Sequence, residues 1–172
     1  MSTETKNQLI QELEAFVKVT SNLNPEINYH AYLLSKAVPV QVVSVREVFT
    51  EKEVEMIKML VQPKKKECWR NAALLSLYFP NVEYVEGRLL AAGIIGIDHG
   101  FNKVGDKYID ITAELCLNFD VEKESYIKIQ EYNSGEVLEL SEKYESYCSF
   151  HQHAFNEKLR KILQCQKEIL TK

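Results

Sequence analysis

No stretch of this chain approaches the roughly 18 consecutive apolar residues of a membrane span, and its polar start, Met1-Ser-Thr-Glu-Thr-Lys-Asn, lacks the apolar core of a secretory signal. A cytoplasmic protein with no membrane role is expected. A basic excess is also lacking: the formal net charge is -4 over 172 residues, and Lys64, Lys65 and Lys66 form too short a run to make a nucleic-acid footprint. A nucleic-acid partner is therefore not expected. The six glycines and four prolines fall at turns and form no linker, and there is no internal repeat or low-complexity tract. One domain over residues 1–172 is the natural reading, since a chain of this size hides roughly 70% of its unfolded surface without metal or disulfide staples.

Cysteine is sparse too. Cys68, Cys116, Cys148 and Cys165 are irregularly spaced, which in a reducing compartment favours free thiols over a disulfide framework. Thiol chemistry then becomes available. Cys148-x-x-His151-x-His153 resembles a metal site only superficially, because on a helix 148 and 151 share a face while 153 turns away and no fourth ligand is evident. No metal is expected, and with no cofactor-binding signature no cofactor either.

What the chain does contain is a clear change of period. Leu9, Leu13, Phe16 and Val17 recur at helical spacing, so residues about 5 to 19 read as an amphipathic helix. Thr50-Glu-Lys-Glu53 has the capping-box pattern ahead of Val54, Ile57, Met59 and Leu60, and starts another helix. Between them, 38–49 is rich in Val and reads as extended. Cys68 to Tyr78 favours a buried helix ended by Pro80, with Cys68 at its amino-terminal end. Strands are expected at 82–90, 94–102, 107–112 and 126–132, with Asn133-Ser-Gly135 as a turn. Gly87 suits a bulge or a close backbone approach. Tyr144, Cys148, His151, Phe155, Leu159, Ile162 and Ile169 form a 3-4 stripe, which predicts one long C-terminal helix over about 141–171. The order of elements is α+β, with a core at about 50–135.

The chemistry centres on 94–112. Two strands are expected around a turn near Val104-Gly105, and His99 and Asp110 lie symmetrically about it. In an antiparallel hairpin such positions oppose one another with Cβ atoms about 4.5 to 5.5 Å apart, so imidazole and carboxylate can hydrogen-bond. The same register opposes Phe101 to Tyr108 and Ile97 to Thr112. A helix start lowers a thiol pKa. Cys68 can therefore act as nucleophile, His99 as its acid and base, and Asp110 as the group that orients the histidine. Lys64 to Lys66 favour the thiolate and Glu67 opposes it.

Cys68-Trp-Arg-Asn-Ala at a helix start, then Tyr84-Val-Glu-Gly87, then Asp98-His-Gly-Phe-Asn and Tyr108-Ile-Asp-Ile-Thr112, resemble the transglutaminase-like branch of the papain-like thiol hydrolases. The resemblance covers about 62–112. It implies a Cys-bearing helix packed on a small antiparallel sheet that presents His99 and then Asp110. The spacing Gln62-x5-Cys68-Trp69 also resembles the papain pattern, which would make Gln62 an oxyanion donor; Pro63 should keep its backbone extended. Trp69 reads as a core aromatic or a substrate platform, and Asn71 as a site hydrogen-bonder or a buried structural amide. Glu86 receives no role, and His151 reads as a packing residue.

The activity so implied is a small cysteine hydrolase or acyl transferase that forms a thioester on Cys68 with an acyl or amide substrate, including a protein or peptide. The alternative is a papain-like core retained as a binding or regulatory module, with the C-terminal helix docking a partner. The sequence leaves substrate identity and oligomeric state open.

Overall fold

A computed structural model describes residues 7–170 and is α+β. Helix α1 (Gln8–Val19) starts where the Asn7 side chain accepts from Leu9 N–H at 2.9 Å, and it buries Leu9 and Leu13. Helix α2 (Tyr29–Lys36), capped by Asn28, packs beside it. Helix α3 (Glu51–Val61) has the anticipated capping box, with Thr50 and Glu53 exchanging hydrogen bonds. Helix α4 (Cys68–Tyr78) starts at Cys68 as expected.

The sheet has five strands in the order β1-β5-β2-β3-β4, every neighbouring pair antiparallel. They are β1 (Val38–Val40), β2 (Val82–Ala91), β3 (Ile95–Val104), β4 (Lys107–Ile109) and β5 (Ser125–Tyr132). Helix α4 lies against β2 and β3. Val85, Leu89, Phe101 and Tyr126 form a core on one face, while Tyr84 joins Ala72, Ala73 and Phe150 in another cluster. Gly87 is a close-approach residue: the β2–β5 register shifts between Glu86 and Gly87, and a Cβ on Gly87 would lie 2.0 Å from the Ile127 carbonyl oxygen.

Four expectations need correction. The stretch 38–49 is extended only at β1, because the Glu114 carboxylate takes Val45 N–H at 2.7 Å and the Ser44 hydroxyl at 2.9 Å and anchors a 3-10 turn at Val45–Glu47. The strand expected at 107–112 ends at Ile109, where Asp110 caps helix α5 (Ile111–Leu117). Asn133 is no simple turn residue; it caps α6 (Ser134–Tyr144) in a capping box with Glu136. The single C-terminal helix is two, α6 and α7 (Phe150–Leu170), divided at Glu145, whose φ is 51°. Tertiary contact sets that break, since Glu86 from β2 accepts Phe150 N–H at 2.5 Å and His151 N–H at 2.9 Å at the start of α7. Among the described residues no helix is long and apolar enough to cross a membrane.

Candidate active site

The loop 62–67 delivers Cys68 to the first turn of α4. Its N-cap residue, Glu67, makes no side-chain cap bond, and among the described residues no acceptor bonds the N–H of Cys68 or Trp69. Those donors and the positive end of the helix favour negative charge at this end of α4. The loop is fixed by Asn71, fully buried. Its Nδ2 donates to the Lys64 carbonyl at 2.7 Å and to Thr112 Oγ1 at 3.0 Å, and its Oδ1 accepts Lys64 N–H at 3.1 Å. Asn71 thus ties the approach to Cys68 to the start of α5.

His99 projects from β3 and Asp110 from the N-cap of α5. His99 Nε2 lies 2.6 Å from Asp110 Oδ2, with both side chains buried. The other ring nitrogen remains for the Cys68 thiol, which is near enough for the two groups to shift one another's titration. Asp110 is held from three sides: Oδ1 accepts Thr112 N–H and Ala113 N–H, each at 2.9 Å, and Oδ2 accepts the Tyr126 hydroxyl at 3.0 Å.

The anticipated register does not produce this contact. The β3–β4 ladder pairs Asn102 with Ile109 and Val104 with Lys107, so Phe101 is not directly opposite Tyr108 and His99 is not opposite Asp110. The turn lies at Gly105-Asp106, with only Gly105 at positive φ, 61°. Pairing stops at Ile109, and the departing chain swings Asp110 back to the histidine. Cys68, His99 and Asp110 do come together, by a helix cap and not by a hairpin rung.

The titration shifts follow from this burial and pairing. Burial raises the Cys68 thiol, but the His99 hydrogen bond and charge and the Gly100 N–H outweigh it, leaving the thiol below its ordinary value. Burial works against a charged His99, yet Asp110 and then Cys68 lift it to about 10. Burial likewise disfavours a charged Asp110, but the His99 charge and hydrogen bonds from His99, Ala113 and Tyr126 hold it below the usual carboxylate value. Burial pushes Cys116 and Cys148 the other way, upward. The shifts favour a thiolate–imidazolium–carboxylate arrangement.

Gly100 lets β3 approach the start of α4. A Cβ there would lie 2.8 Å from Trp69 Cε3 and 3.2 Å from the Cys68 carbonyl oxygen. Trp69 is half-buried and packs against the cluster that contains Tyr84 and Phe150.

No protein-family model, curated protein or solved structure matches the chain. What the site can do is therefore read from its own geometry.

Gln62 departs from its expected placement. It is the exposed C-cap of α3 in the left-handed region, φ 47° and ψ 64°, and not extended. Its side chain lines a hollow of about 350 Å³ with Lys58, Pro63, Lys64, Leu115 and Cys116. No hydrogen bond joins it to Cys68 or His99 among the described residues. Tyr126 is the site residue that sequence reasoning missed; it lies far along the chain in an ordinary alternating strand. A second buried group was also missed: Glu86 bonds His151 Nδ1, and His151 Nε2 lies 2.8 Å from the Tyr29 hydroxyl. It clamps α7 to β2 and α2. His153 stacks on Tyr144 instead, and no cluster of three or more His, Cys, Asp or Glu residues suited to a metal occurs among the described residues.

Proposed function

We propose that this chain is a cysteine hydrolase or acyl transferase with a papain-like, transglutaminase-like arrangement, working through a thioester on Cys68. The observation that carries this reading is the position of His99, bonded through Nε2 to the buried Asp110 and interacting electrostatically with the Cys68 thiol at a helix start. In the first step the Cys68 sulfur attacks an acyl carbonyl and forms a C–S bond while the carbonyl electrons move to oxygen. The free N–H groups of Cys68 and Trp69 are positioned to receive that oxyanion, in place of the Gln62 side chain. Collapse breaks the bond to the leaving group, which takes a proton from the His99 imidazolium. His99, again neutral, then removes a proton from water or an amine as it attacks the thioester carbonyl; collapse breaks the C–S bond, releases the acid or new amide and returns the Cys68 thiolate beside the His99 imidazolium. Asp110 keeps the ring oriented and stabilises its charged form.

The experiment is acyl trapping. Incubation with a panel of p-nitrophenyl esters and peptidyl p-nitroanilides should release a stoichiometric burst of chromophore and add the acyl mass to the Cys68 peptide, reversibly with hydroxylamine. Acylation confined to other residues, or no burst with any member, would count against the proposal.

A further inference from the structure

A hollow of about 350 Å³ opens between the end of α3, the loop that follows it and α5, lined by Lys58, Gln62, Pro63, Lys64, Leu115 and Cys116. Neither Cys68, His99 nor Asp110 lines it. Its size lies at the small end of the range for ligand pockets, about 300–1,000 Å³. Pro63, Leu115 and Cys116 are half-buried and give it apolar walls.

The walls are fastened to one another through the first turn of α4. Arg70 Nη1 donates to the Val61 carbonyl at 3.2 Å and holds the end of α3. Asn71 bonds both backbone groups of Lys64 on one wall and, at 3.0 Å, Thr112 Oγ1 on the other, one helical turn before Cys116. A hollow held in this way is formed before a ligand arrives, which lowers the ordering cost of binding. Arg70 and Asn71 also share the first turn of α4 with Cys68. Whatever fills the hollow therefore rests on the frame that carries the nucleophile.

The charge beside the hollow is of one sign. Lys64, Lys65 and Lys66 are exposed, and none bonds a carboxylate among the described residues. The neighbouring acids are engaged elsewhere: Glu55 pairs with Lys58 at 2.7 Å, Glu67 lies 3.6 Å from Arg70, and Glu114 takes Ser44, Val45 and Arg46. On a chain of net charge -4, a run of unpaired cations thus connects the hollow to Cys68.

We propose that this hollow is an exosite for an acidic polypeptide substrate: an apolar side chain enters between Pro63 and Leu115, and carboxylates next to it in the substrate meet Lys64, Lys65 and Lys66. Its role as a substrate site rests on Cys68 being the nucleophile; the binding itself does not. A polypeptide is favoured over a nucleic acid because no aromatic side chain lines the hollow to stack a base. Burial of the apolar anchor supplies affinity, and the lysines separate acidic from neutral segments.

The test titrates 15N-labelled Cys68→Ala protein, which cannot form a thioester, with acetyl-Leu-Glu-Glu-Glu-amide. Saturable shifts should centre on the amides of Lys64, Leu115 and Cys116. Acetyl-Leu-Gln-Gln-Gln-amide should bind at least about threefold more weakly, three exposed ion pairs at the low end of their worth. That preference should vanish in about 1 M salt, where the screening length is about 3 Å, and in protein carrying Lys64→Gln, Lys65→Gln and Lys66→Gln together. Replacing the leucine of the peptide with glycine should weaken binding about tenfold. Equal binding of the Glu and Gln peptides, or shifts confined to residues away from the hollow, would overturn the exosite. Tighter binding of an oligothymidylate at the same amides would overturn its assignment to polypeptides. Peptide binding at the hollow combined with no acyl trapping on wild-type Cys68 would retire the catalytic reading and leave a peptide-binding site.

Discussion

The Tyr126 hydroxyl donates to Asp110 Oδ2, the same oxygen that holds His99 Nε2. Two donors therefore converge on one carboxylate oxygen, while two backbone N–H groups occupy the other. Tyr126→Phe removes a buried hydroxyl and leaves Oδ2 with His99, so the fold should lose about 1 kcal/mol. Calorimetry measures that cost. Turnover should fall further than stability alone explains, because the carboxylate that aligns His99 has lost one of its fixed contacts.

Asp110 serves two masters, the imidazole and the cap of α5. Asp110→Asn retains an oxygen for Thr112 and Ala113 N–H and should remain folded, but its amide cannot supply the charge that stabilises the imidazolium. Turnover should drop about a hundredfold to ten-thousandfold, the range for loss of effective acid–base catalysis. Asp110→Ala should in addition cost about 1–2 kcal/mol of stability through the lost cap. Comparing thermal melts with single-turnover rates separates the two.

Gly100→Ala places a methyl group 2.8 Å from Trp69 Cε3 and close to the Cys68 carbonyl. The start of α4 must shift or β3 must withdraw, at about 1–3 kcal/mol. Lowered melting temperature together with slower Cys68 alkylation is the expected pair of results.

Proton linkage gives a sharper signature. A folded His99 lifted from 6.5 to about 10 holds a proton that the unfolded chain lacks between those values, so its contribution is complete below about 6.5 and is lost as pH rises through about 10. The lowered Cys68 thiol has the opposite sign: its contribution is present above the unfolded value of 9.0 and is lost as pH falls through the folded value. Where the folded pair is ionised and the unfolded pair is not, the two slopes cancel. Cys68→Ala removes the opposing thiol and part of the lift on His99, leaving Asp110 to hold the imidazole raised, so stability should fall as pH rises above about 6.5, measured by urea denaturation across that range. A flat profile in the variant would show that Asp110 alone does not hold His99 protonated.

Local signals made much of this legible. The capping box at Thr50 and the apolar run from Cys68 to Tyr78 act within a few residues, and both helices start where the sequence places them. The proximity of His99 and Asp110 was readable, but for a different reason: alternation cannot count a turn to one residue, and Asp110 reaches His99 as a helix cap. The division between α6 and α7 was invisible because Glu86, 64 residues before Phe150, supplies the acceptor at the start of α7. Tyr126 escaped for the same reason, since only the β5–β2 pairing brings it under Asp110. At Gln62 the local rule fails: a following proline favours extended backbone, whereas the end of α3 puts Gln62 in the left-handed region.

The most direct measurement is competitive alkylation of the native protein with limiting iodoacetamide at mildly acidic pH, followed by peptide mapping. Cys68, with its thiol lowered by His99, should be labelled first, well ahead of Cys116 and Cys148, whose thiols burial raises. His99→Ala should abolish that lead. Equal labelling of Cys116 or Cys148 in the native protein would contradict an activated nucleophile at Cys68.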